Sequence, residues 1–166
     1  MNELMTGKTP VGAPFALHDA RGRLRKLEEF RGRLVLLYFG YTHCPDVCPT
    51  DLVAIGSALK MLGPQAADIQ PVFITLDPAR DTPQVLREYA PAFHPNFVAL
   101  RGTEAETQRI ARSYKVFYEK VPDGRGSYAI DHAAFTFLLD RDGQYVAFFP
   151  PGTRPERMAT MLKDQL

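Results

Sequence analysis

Leu34-Val-Leu-Leu-Tyr-Phe39 runs directly into Gly40-Tyr-Thr-His-Cys-Pro-Asp-Val-Cys-Pro49, and the fold follows from that junction. The first half is a short continuous apolar run of strand formers, the pattern of a central strand covered on both faces. Pro49-Thr-Asp-Leu52 then opens a helix. Leu52, Ile55, Leu59 and Leu62 recur on one helical face, and Gly63-Pro64 stops it.

Outward from this pair the same units repeat. Pro71-Val-Phe-Ile-Thr-Leu76 reads as a second strand. Thr82 can cap a helix whose first position suits Pro83, and which carries Val85, Leu86 and Tyr89. Phe97–Leu100 is a short strand, and Thr103 caps a helix carrying Ala105, Ile110 and Tyr114. Residues 116–131 contain Pro122-Asp-Gly and Gly126, so they form a loop or an inserted hairpin. Phe135–Leu139 and Tyr145–Phe149 are strands joined by Asp140-Arg-Asp-Gly143, a hairpin signal. A last helix carries Met158, Met161 and Leu162. At the other end, Pro14–Leu27 reads as a hairpin turning at His18-Asp-Ala-Arg-Gly22. Strands alternating with helices predict an α/β fold, a mixed central sheet flanked by helices with an antiparallel edge. Residues 1–166 are expected to form one domain, with about 1–11 a flexible N-terminal segment.

Composition narrows the function classes. The 166 residues carry 20 Lys plus Arg against 19 Asp plus Glu. A net charge of +1 leaves no electrostatic footprint for nucleic acid. Two cysteines exclude a disulfide framework. No apolar run approaches the roughly 18–20 residues of a membrane span. The N-terminus shows no charged region followed by an apolar one, so no export signal is visible. Either the protein is cytosolic or a preceding segment has been removed.

Both cysteines, Cys44 and Cys48, fall four residues apart at the strand-to-helix junction. Open α/β sheets place ligand sites there, outside the carboxyl ends of strands. On a helix the two would stand one turn apart, with Cα atoms roughly 6 Å from each other, within reach of a disulfide or of one metal ion. A helix N-terminus favours thiolate, the form that both binds metal and attacks disulfides. The plainer alternative is a pair of buried cysteines in a packed helix start. Two sulfur ligands suit Cu(I), zinc or iron–sulfur. Iron–sulfur and structural zinc both need about four ligands, which are hard to assemble here, whereas copper accepts two thiolates and one imidazole. Of the four histidines, His18 and His94 read as surface residues, and His43 adjoins Cys44 and would point away from the metal. His132 immediately precedes the Phe135 strand. Thioredoxin-type proteins carry a proline at the entry to the equivalent strand; this chain has His132 there and no proline between Asp123 and Phe149. A core-bonded histidine is the plainer alternative for it.

Three motifs in order resemble the Sco family, the copper proteins of cytochrome c oxidase assembly. They are Tyr38-Phe-Gly-Tyr-Thr with Cys44-Pro-Asp-Val-Cys-Pro49, then Phe73-Ile-Thr-Leu-Asp-Pro with Arg80-Asp-Thr-Pro83, then Asp131-His132 with Asp140 and Asp142-Gly143. The resemblance runs from about Gly12 to the final helix. It implies a thioredoxin-like fold and one copper, Cu(I) or Cu(II), held by Cys44, Cys48 and His132. It implies a metallochaperone that delivers copper to the dinuclear copper centre of cytochrome c oxidase, with another copper chaperone as donor. It also implies an N-terminal membrane anchor preceding this sequence. The expected location is the periplasmic side of the bacterial inner membrane, or alternatively the mitochondrial intermembrane space. Ala133 stands where family members often carry Ser. Asp131 could orient His132, Asp46 could guide docking, and Asp77 could tune the site. Arg80 and Asp81 could pair with each other or order their loop.

Competing activities use the same residues. As a thiol–disulfide oxidoreductase, the Cys44–Cys48 pair would reduce the acceptor's cysteines before copper arrives. A peroxiredoxin-like peroxidase would place a reactive cysteine at this junction, but Thr42-His-Cys44 is one residue short of the Thr-x-x-Cys approach. A copper or redox sensor without a transfer step is the remaining reading.

Overall fold

The computed structural model describes residues 11–43, 47–132 and 135–166, apart from the side chains of Val47, Cys48, Asp131 and His132. The expected flexible segment, about residues 1–11, lies outside them save for Val11. Ala16–Asp19 (β1) and Leu24–Lys26 (β2) form the N-terminal hairpin, paired in register from Ala16–Lys26 to His18–Leu24. Its turn needs a left-handed residue, and Gly22 supplies it at φ +77°.

Leu34–Gly40 (β3) is buried at all seven positions, as is Ile69–Thr75 (β4). That explains why both lack polar alternation. The two pair in parallel from Leu34–Ile69 to Gly40–Thr75, joined by the helix Val47–Leu62 (α1). Val98–Arg101 (β5) extends the parallel set on β4. Thr136–Leu139 (β8) lies antiparallel on the other side of β3, with Tyr145–Phe149 (β9) outside it. Among the described residues the main sheet has the order β2-β1-β5-β4-β3-β8-β9. It is the expected mixed sheet, antiparallel at both margins.

The two threonine-capped helices start where the sequence says. Thr82 accepts a hydrogen bond from Val85 N at the start of Pro83–Tyr89 (α2). Thr103 and Glu106 cap Glu104–Ser113 (α3) reciprocally. Pro155–Gln165 (α4) packs against α1. Two of the boundaries that differ involve a proline. Helix α1 begins at Val47, not Pro49, because a proline two residues into the helix gives up only an N–H that would have no intrahelical partner. Strand β4 begins at Ile69 and carries Pro71 inside it. Pairing with β5 starts only at Val72, so one flank of Pro71 is still an edge.

The segment read as a loop or hairpin is a hairpin. Tyr118–Pro122 (β6) and Tyr128–His132 (β7) pair antiparallel as a separate two-stranded sheet, with Tyr118 opposite His132 and Pro122 opposite Tyr128.

Candidate metal centre

The three expected ligands sit on three segments. Cys44 lies outside the described residues, as do Pro45 and Asp46. The backbone of Cys48 is in the first turn of α1, where unpaired N–H groups and the helix dipole favour a thiolate. The backbone of His132 ends β7, four residues before β8 begins. The side chains of Cys48, His132 and Asp131 lie outside the description, as does all of Ala133.

What the structure does give is the frame around them. Tyr41 follows β3 directly and is buried, three residues before Cys44. Its hydroxyl accepts a hydrogen bond from Ile130 N at 3.1 Å, two residues before His132. The cysteine segment and the histidine strand are thus tied together within three residues of the expected ligands.

A second tie runs through the loop after β4. Asp77 and Asp81 are both fully buried, a placement that demands partners. Asp77 Oδ1 accepts from the Tyr128 hydroxyl at 2.7 Å, and Oδ2 accepts from Arg80 Nε. Arg80 Nη1 donates to Tyr128 O at 2.8 Å and Ser127 Oγ at 3.1 Å, while its guanidinium lies over the Tyr128 ring, 3.8 Å from the centroid. Asp81 Oδ2 accepts from Thr42 N at 3.0 Å and Thr75 Oγ1 at 2.6 Å, and Oδ1 accepts from Thr42 Oγ1. Arg101 closes the loop from β5, donating to the carbonyls of Asp81 and Pro78. Burial, then the hydrogen bond and charge of Asp77, push the Tyr128 hydroxyl up to about 12. Burial works against the Arg80 cation, but the Asp77 carboxylate outweighs it and raises its pKa.

The suggested Arg80–Asp81 pair does not form. Arg80 pairs with Asp77, because the backbone turn from Asp77 O to Asp81 N brings the side chains at i and i+3 together. Asp81 turns to Thr42 instead. His18 is exposed on β1, as read; His94 is half-buried and accepts from Asn96 N through Nδ1. His43 is half-exposed, with Nδ1 3.3 Å from Thr42 Oγ1 and 3.7 Å from Asp81 Oδ1. Among the described residues His43, Asp77 and Asp81 could converge on a cation. Every carboxylate oxygen there already has an internal donor, so the cluster is a structural network. Asp51, one turn beyond Cys48, was missed by the sequence. It is buried, accepting from the Tyr38 hydroxyl at 3.2 Å and from Gly152 N at 3.1 Å.

A family model described as SCO1/SenC matches residues 3–166. The chain belongs to the SCO1/SenC family. Within that family, the SCO2-like protein of Rickettsia prowazekii is 44% identical over 144 residues, which cover 86% of this chain and 70% of the relative. The solved structure of Bradyrhizobium japonicum ScoI with copper bound is 41% identical, with a TM-score of 0.87 over 94% of this chain and 99% of that one. Arabidopsis thaliana ScoI with copper bound is 33% identical, with a TM-score of 0.88 over 93% and 97%. The thioredoxin-like α/β fold is therefore the family's, and copper is the metal found in its structures. Tyr128 and Ser127 belong to this Sco chain's site frame without any sequence signal. A tyrosine in a short strand reads as core packing until the fold shows what faces it.

Proposed function

We propose that this chain binds one copper ion, Cu(I) or Cu(II), through Cys44, Cys48 and His132, and passes it to the dinuclear copper centre of cytochrome c oxidase. The observation that carries the reading is the Tyr41–Ile130 hydrogen bond, which draws the His132 strand to the cysteine segment. The donor chemistry fits: soft thiolates favour Cu(I), and an added imidazole suits Cu(II). The buried carboxylates nearby are engaged by Arg80, Tyr128, Thr42 and Thr75, leaving the sulfur and imidazole donors as the copper-selective set. Copper is cargo here, so transfer proceeds by ligand exchange, the acceptor's ligands replacing Cys44, Cys48 and His132 in turn. Residues 1–166 would act as one copper-carrying domain, held by an N-terminal anchor on the periplasmic side of the bacterial inner membrane. Another copper chaperone would load it, and the oxidase's copper-centre subunit would unload it.

Anaerobic titration of the reduced protein tests this. One Cu(I) per chain is expected, lost in Cys44→Ser and in Cys48→Ser. His132→Ala is expected to weaken Cu(II) at least tenfold and Cu(I) far less, because two-coordinate sulfur suffices for Cu(I). Unchanged binding of both ions by His132→Ala removes the histidine from the site.

The start of α1 at Val47 favours a second role for the same thiols, since it puts Cys48 in a thiolate-stabilising first turn. In that role the two thiols reduce an acceptor disulfide to a dithiol and close the Cys44–Cys48 disulfide, with two electrons and two protons passing to the acceptor. Metal-free reduction of the acceptor domain would show it.

A further inference from the structure

The hairpin β6–β7 is its own small sheet, with no ladder to the main one among the described residues. Side chains tie it to the rest of the chain, and Arg80 makes several of those contacts. From one loop Arg80 donates to Ser127 Oγ and Tyr128 O, stacks on the Tyr128 ring and pairs with Asp77, which in turn holds the Tyr128 hydroxyl. The guanidinium also lies 5.9 Å from the centroid of the Tyr41 ring, the residue that accepts from Ile130 N. The next residue, Asp81, fixes Thr42, two positions before Cys44. One loop, 77–81, therefore grips both the cysteine segment and the histidine hairpin. Arg80 Nη2 is buried and has no hydrogen-bond partner among the described residues.

We propose that Arg80 is a positioning residue for the copper site, holding Tyr128 and through β7 the backbone of His132 at the distance that lets the imidazole join the two thiolates. This rests on the ligand set proposed above. Its role is selective. Cu(I), content with two sulfurs, depends little on where His132 stands; Cu(II), which needs the nitrogen, depends on it strongly. A planar fork that bonds and stacks at once is a task lysine does only in part.

The test compares Arg80→Met, Arg80→Lys and Tyr128→Phe with wild type, alone and combined with His132→Ala. Cu(I) and Cu(II) affinities are measured by competition, and the Cu(II) complex by electron paramagnetic resonance and its sulfur-to-copper charge-transfer band. Arg80→Met is expected to weaken Cu(II) about tenfold, to leave Cu(I) within about twofold, and to shift the Cu(II) spectrum toward that of His132→Ala. Arg80→Lys should recover part of the loss. In the His132→Ala background, Arg80→Met should cost Cu(II) nothing further. Equal loss of both ions, or the same loss with and without His132, would mean a merely structural residue and overturn the proposal. If His132→Ala weakens Cu(II) while Arg80→Met and Tyr128→Phe leave it unchanged, this inference fails and the ligand set survives. If His132→Ala itself changes nothing, both fail. Should Arg80→Met not fold, Tyr128→Phe keeps ring and arginine and removes only the bond to Asp77, so a selective Cu(II) loss is still required of it.

Discussion

Asp81 shows how one residue can hold the approach to the cysteines. Its carboxylate is fully buried and surrounded by donors: Thr42 N, Thr42 Oγ1 and Thr75 Oγ1. An asparagine of the same shape would turn an NH2 group toward donors on one side, leaving a buried N–H unpaired and a backbone N–H or hydroxyl without its acceptor. Hydrogen bonds to a charged group are worth about 1.5–3 kcal/mol each, and an orphaned buried donor costs about 1–3 kcal/mol. The hydroxyls can rotate to recover part of that. Asp81→Asn should therefore lose about 2–3 kcal/mol of stability, read as a lower urea midpoint. If the midpoint stays within experimental error of wild type, the carboxylate is not the anchor of Thr42. Legibility at this scale was uneven. Asp77, Arg80 and Asp81 drew notice as one short motif, yet their partners did not follow from it. Arg80 meets Asp77 because of a local turn, and its hairpin partners Ser127 and Tyr128 are nearly fifty residues away. Nothing in a linear pattern encodes such a meeting.

At the scale of elements, the chain announced itself through local chemistry. The fully apolar run of β3, the Thr82-Pro83 and Thr103 starts, and the Gly143 turn all act within a few residues, and each stands where it was read. The pairing of β3 with β8 and the independence of β6–β7 as a sheet depend on distant partners, and residues 116–131 stayed open between loop and hairpin. Close approach between elements is the other silent property, and Gly56 carries it. It lies in the middle of α1, where alanine would favour the helix by about 1 kcal/mol. A Cβ there would stand only 2.2 Å from the carbonyl oxygen of Phe93, just past the short 3-10 turn Ala90–Ala92. That neighbour is backbone and cannot rotate away, so α1 or the turn must shift. Overpacking of this kind costs about 1–3 kcal/mol, which outweighs the propensity gain. Gly56→Ala should lower the melting temperature by several degrees, at about 2–4 °C per kcal/mol for a chain of this size. A variant as stable as wild type would mean that the helix and the turn do not meet this closely.

For the whole molecule, copper at the proposed site would supply a cross-link between the hairpin and the main sheet, which share no ladder among the described residues. The proposed ligands come from the β3–α1 junction and from the end of β7, which belongs to the detached hairpin. In the unfolded chain the histidine has no reason to stay with the cysteine pair, so Cu(II), which needs the nitrogen, binds the native state almost alone, whereas Cu(I) keeps part of its affinity for two thiols only four residues apart. Linkage then fixes the effect. Free ligand at about one hundred times its dissociation constant stabilises the fold by about 2.7 kcal/mol, or about 5–11 °C in melting temperature at this size. The reduced wild type should show only part of that rise under anaerobic, buffered Cu(I). Cys48→Ser should show none at the same free copper. Cu(II) should give the full rise in wild type and a smaller one in His132→Ala, because only the bridged form joins the hairpin to the sheet. Equal shifts for Cu(II) in both proteins would mean that the metal is held by the cysteine segment alone, and that the hairpin stands by without joining the site.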